Sequence, residues 1–211
     1  MLNIKSINIK RVVLLFIFIS SILQANMGAV LIIPNDASVV MGIYTGVSRA
    51  SGTTEIKSTN SAIDGNSFKY INATAFVCAM IGLQNKYYRS SLVYDINSDQ
   101  DIQMQRVLMN FDFMIGEKKG FRPILGFGVG VAMNSYEINY KNVEQDNGIL
   151  AFRAGTEYSM NENNSIELLL EYSYMMTNDL GKSFYEGDDF TTYNIKNKDD
   201  IILRIGYNFE F

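Results

Sequence analysis

The last eleven residues of the chain alternate without a break. Ile201, Leu203, Ile205, Tyr207, Phe209 and Phe211 hold one set of positions. Ile202, Arg204, Gly206, Asn208 and Glu210 hold the other. Successive side chains of a β-strand point to opposite faces, so a period of two marks a strand with two unlike surroundings. One face needs an apolar medium. The other accepts an arginine and a glutamate.

The same period recurs upstream seven times. It runs through Met41–Ser48, Ile71–Leu83, Tyr88–Asp95, Arg106–Ile115, Leu125–Met133, Leu150–Tyr158 and Ile166–Tyr174. With the terminal segment this makes eight strands. The connections between them alternate between long and short. The short ones carry turn chemistry, as in Gln84-Asn85-Lys86, Gly116-Glu117-Lys118-Lys119-Gly120 and Asn161-Glu162-Asn163-Asn164. A meander of tilted strands with long loops at one end and short turns at the other is the pattern of a membrane-spanning barrel. The fold expected is all-β: a transmembrane antiparallel up-and-down β-barrel of eight strands.

The first residues read as an address. Lys5, Lys10 and Arg11 precede an apolar run over 12–23, and Leu23-Gln24-Ala25 offers a small-residue cleavage site. The run is too short for a bilayer-spanning helix, which needs about 20 residues. Residues 1–25 are therefore expected to be a cleaved signal peptide, with cleavage after Ala25 or, alternatively, Ala29. Residues 26–37 form a lead-in and 38–211 the barrel. Removing 1–25 takes away three basic residues and no acidic ones, so the net charge of −4 becomes −7. An acidic chain lacks the basic face that nucleic acid requires.

The composition excludes some chemistry. The chain has no His and one Cys. A Ser–His or Cys–His pair, a His metal ligand and an intramolecular disulfide are all ruled out. No catalytic residue, metal site or cofactor is assigned.

Period two does not by itself say which face meets lipid. A soluble barrel would turn its apolar face inward around a ligand. Three features favour the membrane. One face of the fifth strand is nearly all Gly and Ala, at Gly126, Gly128, Gly130 and Ala132. Aromatic residues crowd the strand ends, at Tyr88, Tyr94, Phe121, Tyr158, Tyr172, Tyr174 and Phe209. The last strand closes on Phe211.

On the signal peptide, the eight strands, the Gly-rich fifth strand and the terminal Tyr207-x-Phe209-x-Phe211, the chain resembles the small OmpA/OmpX-type outer-membrane β-barrels. The resemblance covers everything after the signal and rests on patterns rather than fixed residues. It implies an outer-membrane location in a Gram-negative bacterium. It also implies insertion by the barrel-assembly machinery, with Tyr207, Phe209 and Phe211 as the recognised signal. The peptidoglycan-binding domain of larger members has no counterpart here and is not carried over.

The alternation assigns ten charged residues to the lumen: Arg89, Asp95, Arg106, Asp112, Arg153, Glu157, Glu167, Glu171, Arg204 and Glu210. An eight-stranded barrel is only wide enough for its side chains to fill. These charges must pair with one another or with trapped water. In an antiparallel pair, opposed residues share one index sum. Arg89/Asp112 and Asp95/Arg106 share the sum 201, and Arg153/Glu171 and Glu157/Glu167 share 324. The last pairing sets two carboxylates together. Either a cation from another strand serves both, or one carries a proton. The cluster reads as a plug of salt bridges, with a gated ion path or carboxylate dyad as the alternative.

Other motifs carry less. Gly126-x-Gly128-x-Gly130 lacks the spacing and the helix of a dinucleotide fingerprint. Cys78 falls on the inward set as a small packing residue. Asp179, Glu186, Asp188, Asp189, Asp199 and Asp200 form an acidic loop without calcium-loop spacing. That loop reads as solvated charge, or as a divalent-cation bridge to lipopolysaccharide phosphate.

The function expected is non-enzymatic: envelope integrity, or contact with host or surface ligands through loops 49–69, 134–147 and 176–198. Outer-membrane lipid, lipopolysaccharide and the assembly machinery are the expected partners. A narrow channel is the alternative, and a His-independent outer-membrane enzyme is a further one.

Overall fold

The computed structural model describes residues 37–61, 64–98, 102–138, 141–176, 182–186 and 189–211. The signal peptide, its cleavage site and all of the lead-in but Ala37 lie outside these residues.

Nine strands follow one another: β1 Ser38–Ser58, β2 Ser67–Gln84, β3 Tyr88–Ser98, β4 Ile102–Met114, β5 Gly120–Ile138, β6 Lys141–Ser159, β7 Asn164–Met176, β8 Lys182–Glu186 and β9 Asp189–Glu210. Each of β1 to β7 pairs antiparallel with the next in the chain, except that β7 pairs with β9. Pairing of β1 with β9 closes the sheet into an eight-stranded barrel. β8 is a short arm hydrogen-bonded only to the outer half of β9 among the described residues.

Local chemistry sets the short turns. Asn85 Oδ1 accepts from Tyr87 N at 2.8 Å and Tyr88 N at 2.9 Å. Asn161 Oδ1 does the same for Asn163 N and Asn164 N, at 3.0 and 2.9 Å. Each side chain supplies the bond that bends its turn. Gly116 and Gly120 take positive φ, 103° and 73°, at the edges of the β4–β5 connection.

The opposite end corrects the sequence reading. The expected loops 49–69, 134–147 and 176–198 are largely strand. β1 continues to Ser58, β2 starts at Ser67, β5 and β6 extend to Ile138 and from Lys141, and β8 with β9 takes up most of the last segment. Where these segments are described, the polar stretches that suggested loops are strands of a barrel wall that continues beyond the apolar belt. The wall is uneven, because β3, β4 and β7 have 11, 13 and 13 residues while β1 and β9 have 21 and 22.

The β1–β9 ladder contains one irregularity. Ser51 faces Asp199 and the next residue, Gly52, faces Asn197. One extra residue on β9 is left unpaired, as in a β-bulge. Below the bulge the buried residues of β9 are even-numbered, Asp200 to Asn208; above it they are odd-numbered, Tyr193 and Ile195.

The exterior is apolar. Ile43 is 71% exposed and Phe121 75%, and Val47, Leu125, Phe127, Val129, Phe152, Leu168, Leu170, Leu203 and Ile205 join them in a belt. Aromatic residues edge the belt at the short-turn end. Phe121 and Tyr158 pack with ring centroids 4.7 Å apart, and Phe209 and Phe211 at 4.6 Å. A continuous apolar outside with aromatic borders is the surface of a barrel standing in lipid.

Candidate functional site

Arg89, Asp95, Arg106, Asp112, Arg153, Glu157, Glu167, Glu171 and Arg204 are all buried inside the barrel. Glu210 stands half-buried at the short-turn mouth. It accepts from Gln84 Nε2 at 3.0 Å and from Ser38 Oγ, and pairs with Lys118 Nζ at 2.6 Å. The Cα register sets Arg89 opposite Asp112, Asp95 opposite Arg106, Arg153 opposite Glu171 and Glu157 opposite Glu167.

The side chains form two layers. Nearer the short turns, Asp112 collects two guanidiniums, Arg89 Nη2 at 2.9 Å and Arg153 Nη2 at 2.8 Å. Arg89 Nη2 also reaches Glu167 Oε1 at 2.5 Å. The facing carboxylates Glu157 and Glu167 are each served by a cation from another strand. Arg122 of β5 donates to Glu157 at 2.9 Å, while Arg89 serves Glu167. Arg122 also caps the turn below through a bond to the Lys86 carbonyl at 3.1 Å. This layer holds Arg89, Arg122 and Arg153 against Asp112, Glu157 and Glu167, so its charge balances.

The second layer lies toward the rim. Arg204 holds Asp95 through two nitrogens, at 2.7 and 2.8 Å, and Glu171 at 2.9 Å. Arg106 also bonds Asp95, and lies 3.3 Å from both Glu171 and Asp200. Ser173 Oγ donates to Glu171 at 2.9 Å. Cys78 is buried against this layer, 3.4 Å from Arg204 Nη1.

Two facts go beyond the register. Arg153 turns away from its Cα partner Glu171 and reaches over Gly126 of β5, which faces both residues, to Asp112 of β4. Arg122 and Asp200 are full members of the network that sequence reading left out. Arg122 lies three residues before the alternation used to place β5, behind Pro123. Asp200 read as part of the acidic loop. It is fully buried and faces Arg106, whereas Asp199 beside it points outward to the Tyr172 hydroxyl at 2.9 Å. Of the remaining acidic loop residues, Glu186 and Asp189 belong to the β8–β9 arm; Asp179 and Asp188 lie outside the described residues.

The glycines of β5 make room for this chemistry. A Cβ on Gly126 would stand 2.2 Å from Asp112 Oδ1, and one on Gly128 2.1 Å from Asn110 Oδ1. The acceptor that gathers two arginines lies across the bare backbone of the next strand. Among the described residues no group of three potential metal ligands converges.

Solved structures share this architecture. Neisserial surface protein A matches with a TM-score of 0.55 at 14% identity, over 81% of this chain and 97% of that one. The N-terminal β-barrel domain of Pseudomonas aeruginosa OprF matches with a TM-score of 0.52 at 14% identity, over 82% and 97%. The chain has the fold of the eight-stranded outer-membrane β-barrels. No protein-family model and no curated protein sequence matches it. As an outer-membrane-type barrel, it carries its polar groups in the lumen and its apolar ones on the lipid face.

Proposed function

We propose that this is a non-enzymatic barrel of the Gram-negative outer membrane, serving envelope integrity and presenting its outer strand ends to surface ligands. The observation that carries the reading is the charge network itself. Five arginines and six carboxylates cross the lumen in two layers, and each makes at least one ion pair inside the barrel. A buried charge held this way is committed to its partner, and a barrel of this width has no second path around it. A carboxylate in such a pair is a poor candidate for an acid or base, which needs a free position toward a substrate.

The uneven rim supports the second half of the proposal. Above the apolar belt, β1 and β9 turn Thr53, Glu55, Lys57, Thr192 and Lys196 outward on a rigid ladder. Rigid scaffolds carrying polar, variable surfaces are where recognition is built. Lipopolysaccharide is the proposed chemical partner of that zone, and Tyr207, Phe209 and Phe211 at the short-turn end of β9 are the proposed signal to the assembly machinery.

Single-channel recording on the purified protein in planar bilayers tests the reading. Silence at all voltages is expected; steps of stable conductance would replace it with the narrow-channel reading. Deletion of the gene, with envelope-permeability and adhesion assays, then separates the structural from the recognition role.

A further inference from the structure

Seven of the eight barrel ladders join strands that follow one another around the wall. The eighth joins the two ends of the barrel, and its register fixes the stagger of the whole. Alternation alone does not specify that register. A slip of one residue would turn every side chain over, but a slip of two keeps the lumen face in the lumen and the lipid face in lipid.

The inward side chains of the seam resolve this. Three successive inward positions of β1 are Gly42, Tyr44 and Gly46; their partners on β9 are Asn208, Gly206 and Arg204. Small faces large at each step. The Tyr44 ring lies over the space beside Gly206, where a Cβ would stand 2.0 Å from Cδ1 and 2.3 Å from Cε1. A Cβ on Gly42 would in turn stand 2.3 Å from Asn208 Oδ1. Beyond the ring, the Tyr44 hydroxyl is 2.6 Å from Asn208 Oδ1 and 2.5 Å from Glu167 Oε2. Its single proton serves one of them, and Asn208 Nδ2 donates to Glu167 Oε2 at 2.9 Å.

A slip of two in one direction would set Tyr44 against Arg204 and Gly42 against Gly206. In the other it would set Tyr44 against Asn208 and Gly46 against Gly206. Either way the ring meets a full side chain and two glycines leave a gap. Both overpacking and voids are costly in a filled interior.

We propose that Tyr44 and Gly206 are the register key of this barrel: a knob and socket that select one stagger when the first and last strands join. The device acts at closure, because the seam pairs the most distant parts of the chain and forms against the largest loop-closure cost.

Cysteine pairs read the register directly, because opposed Cα atoms about 4.5–5.5 Å apart fall within disulfide reach. With Cys78→Ser as background, Thr45→Cys with Ile205→Cys reports the native seam. Thr45→Cys with Leu203→Cys, and Thr45→Cys with Tyr207→Cys, report the two slips. Leu92→Cys with Met109→Cys reports the β3–β4 hairpin as a control. Each pair is oxidised after refolding, and the slipped-to-native yield is compared at equal control yield.

Gly206→Val is expected to raise that ratio about tenfold, as is Tyr44→Gly, which removes the knob without adding bulk. The exchange Tyr44→Gly with Gly206→Tyr is expected to bring the ratio back toward the unsubstituted value. An unchanged ratio in Tyr44→Gly overturns the proposal whatever the yield of Gly206→Val. So does an exchange variant that slips as much as Gly206→Val.

Discussion

Arg204 of β9 holds Asp95 of β3 through two guanidinium nitrogens, at 2.7 and 2.8 Å, although β1 and β2 stand between the two strands in the wall. The bond is a strut across the barrel rather than a link along the sheet. Both groups are buried, so each depends on the other for the solvation it gave up.

Removing one end of that strut strands the other. Arg204→Met leaves Asp95 and Glu171 sharing Arg106, and the expected loss is about 3–5 kcal/mol. The combined Asp95→Leu, Arg204→Met variant is expected to recover most of it, because Glu171 keeps Arg106 and no charge is orphaned. Urea unfolding in lipid vesicles, followed by the heat-modifiable gel shift, measures both. A double variant no more stable than the single one would show that the strut does not act as a pair.

The partly exposed pair at the short-turn mouth should behave otherwise. Lys118 and Glu210 are close, 2.6 Å, but their side chains are 32% and 17% exposed. Lys118→Met is expected to cost no more than about 1 kcal/mol. That cost is expected to fade in 1 M salt, where the screening length is about 3 Å. A larger loss that persists in salt would mean that the lysine also braces the mouth through its bond to the Glu162 carbonyl.

Glycine tolerance should divide by face. A Cβ at Gly126 meets Asp112 Oδ1 at 2.2 Å and the Phe111 carbonyl at 2.8 Å, whereas one at Gly148 meets nothing nearer than Met176 Cβ at 3.6 Å. Gly126→Ala is expected to lose about 1–3 kcal/mol and Gly148→Ala to stay within about 0.5 kcal/mol. Equal effects in the same unfolding assay would contradict the packing of Asp112 over β5.

The lipid belt makes a depth prediction. Leu203 points outward within the belt, and Leu203→Arg is expected to cost about 2–4 kcal/mol near the midplane. Thr53→Arg, outward but above the belt on β1, is expected to change stability by less than about 0.5 kcal/mol. Matched losses at the two positions would move the membrane boundary.

The strands, their faces and much of the lumen network were legible because a narrow barrel ties position to environment. Parity fixes the face, and the face fixes whether a charge is tolerable. Arg122 escaped because Pro123 read as a boundary. In the structure the Pro123 carbonyl still accepts from Ile115 N at 2.9 Å, one position past the last β4 pair at Met114 and Ile124, and its missing N–H leaves the return bond unmade, so the ladder stops there. Asp200 escaped because beside Asp199 it read as one more acid of a surface loop, whereas in the structure it is buried against the Arg106 guanidinium. The upper strands read as loops for a related reason: above the belt the outward face is polar, and Ile56, Tyr193 and Ile195 are too few inward apolar residues to show a period. The index sums gave Arg89 with Asp112 and Asp95 with Arg106, and both pairs form; the contacts that skip strands, Arg153 to Asp112 and Arg204 to Asp95, were beyond parity, since long side chains in a lumen reach past their neighbours.

The extra residue on β9 between Asn197 and Asp199 has a consequence for how this protein can change. Below it, even positions of β9 are constrained by the lumen; above it, odd ones are. The strand thus carries two reading frames joined at one point. An insertion or deletion in the outer frame is absorbed there without turning Arg204 into the lipid or Leu203 into the lumen. The part above the apolar belt can change length, and the part within the belt keeps its phase.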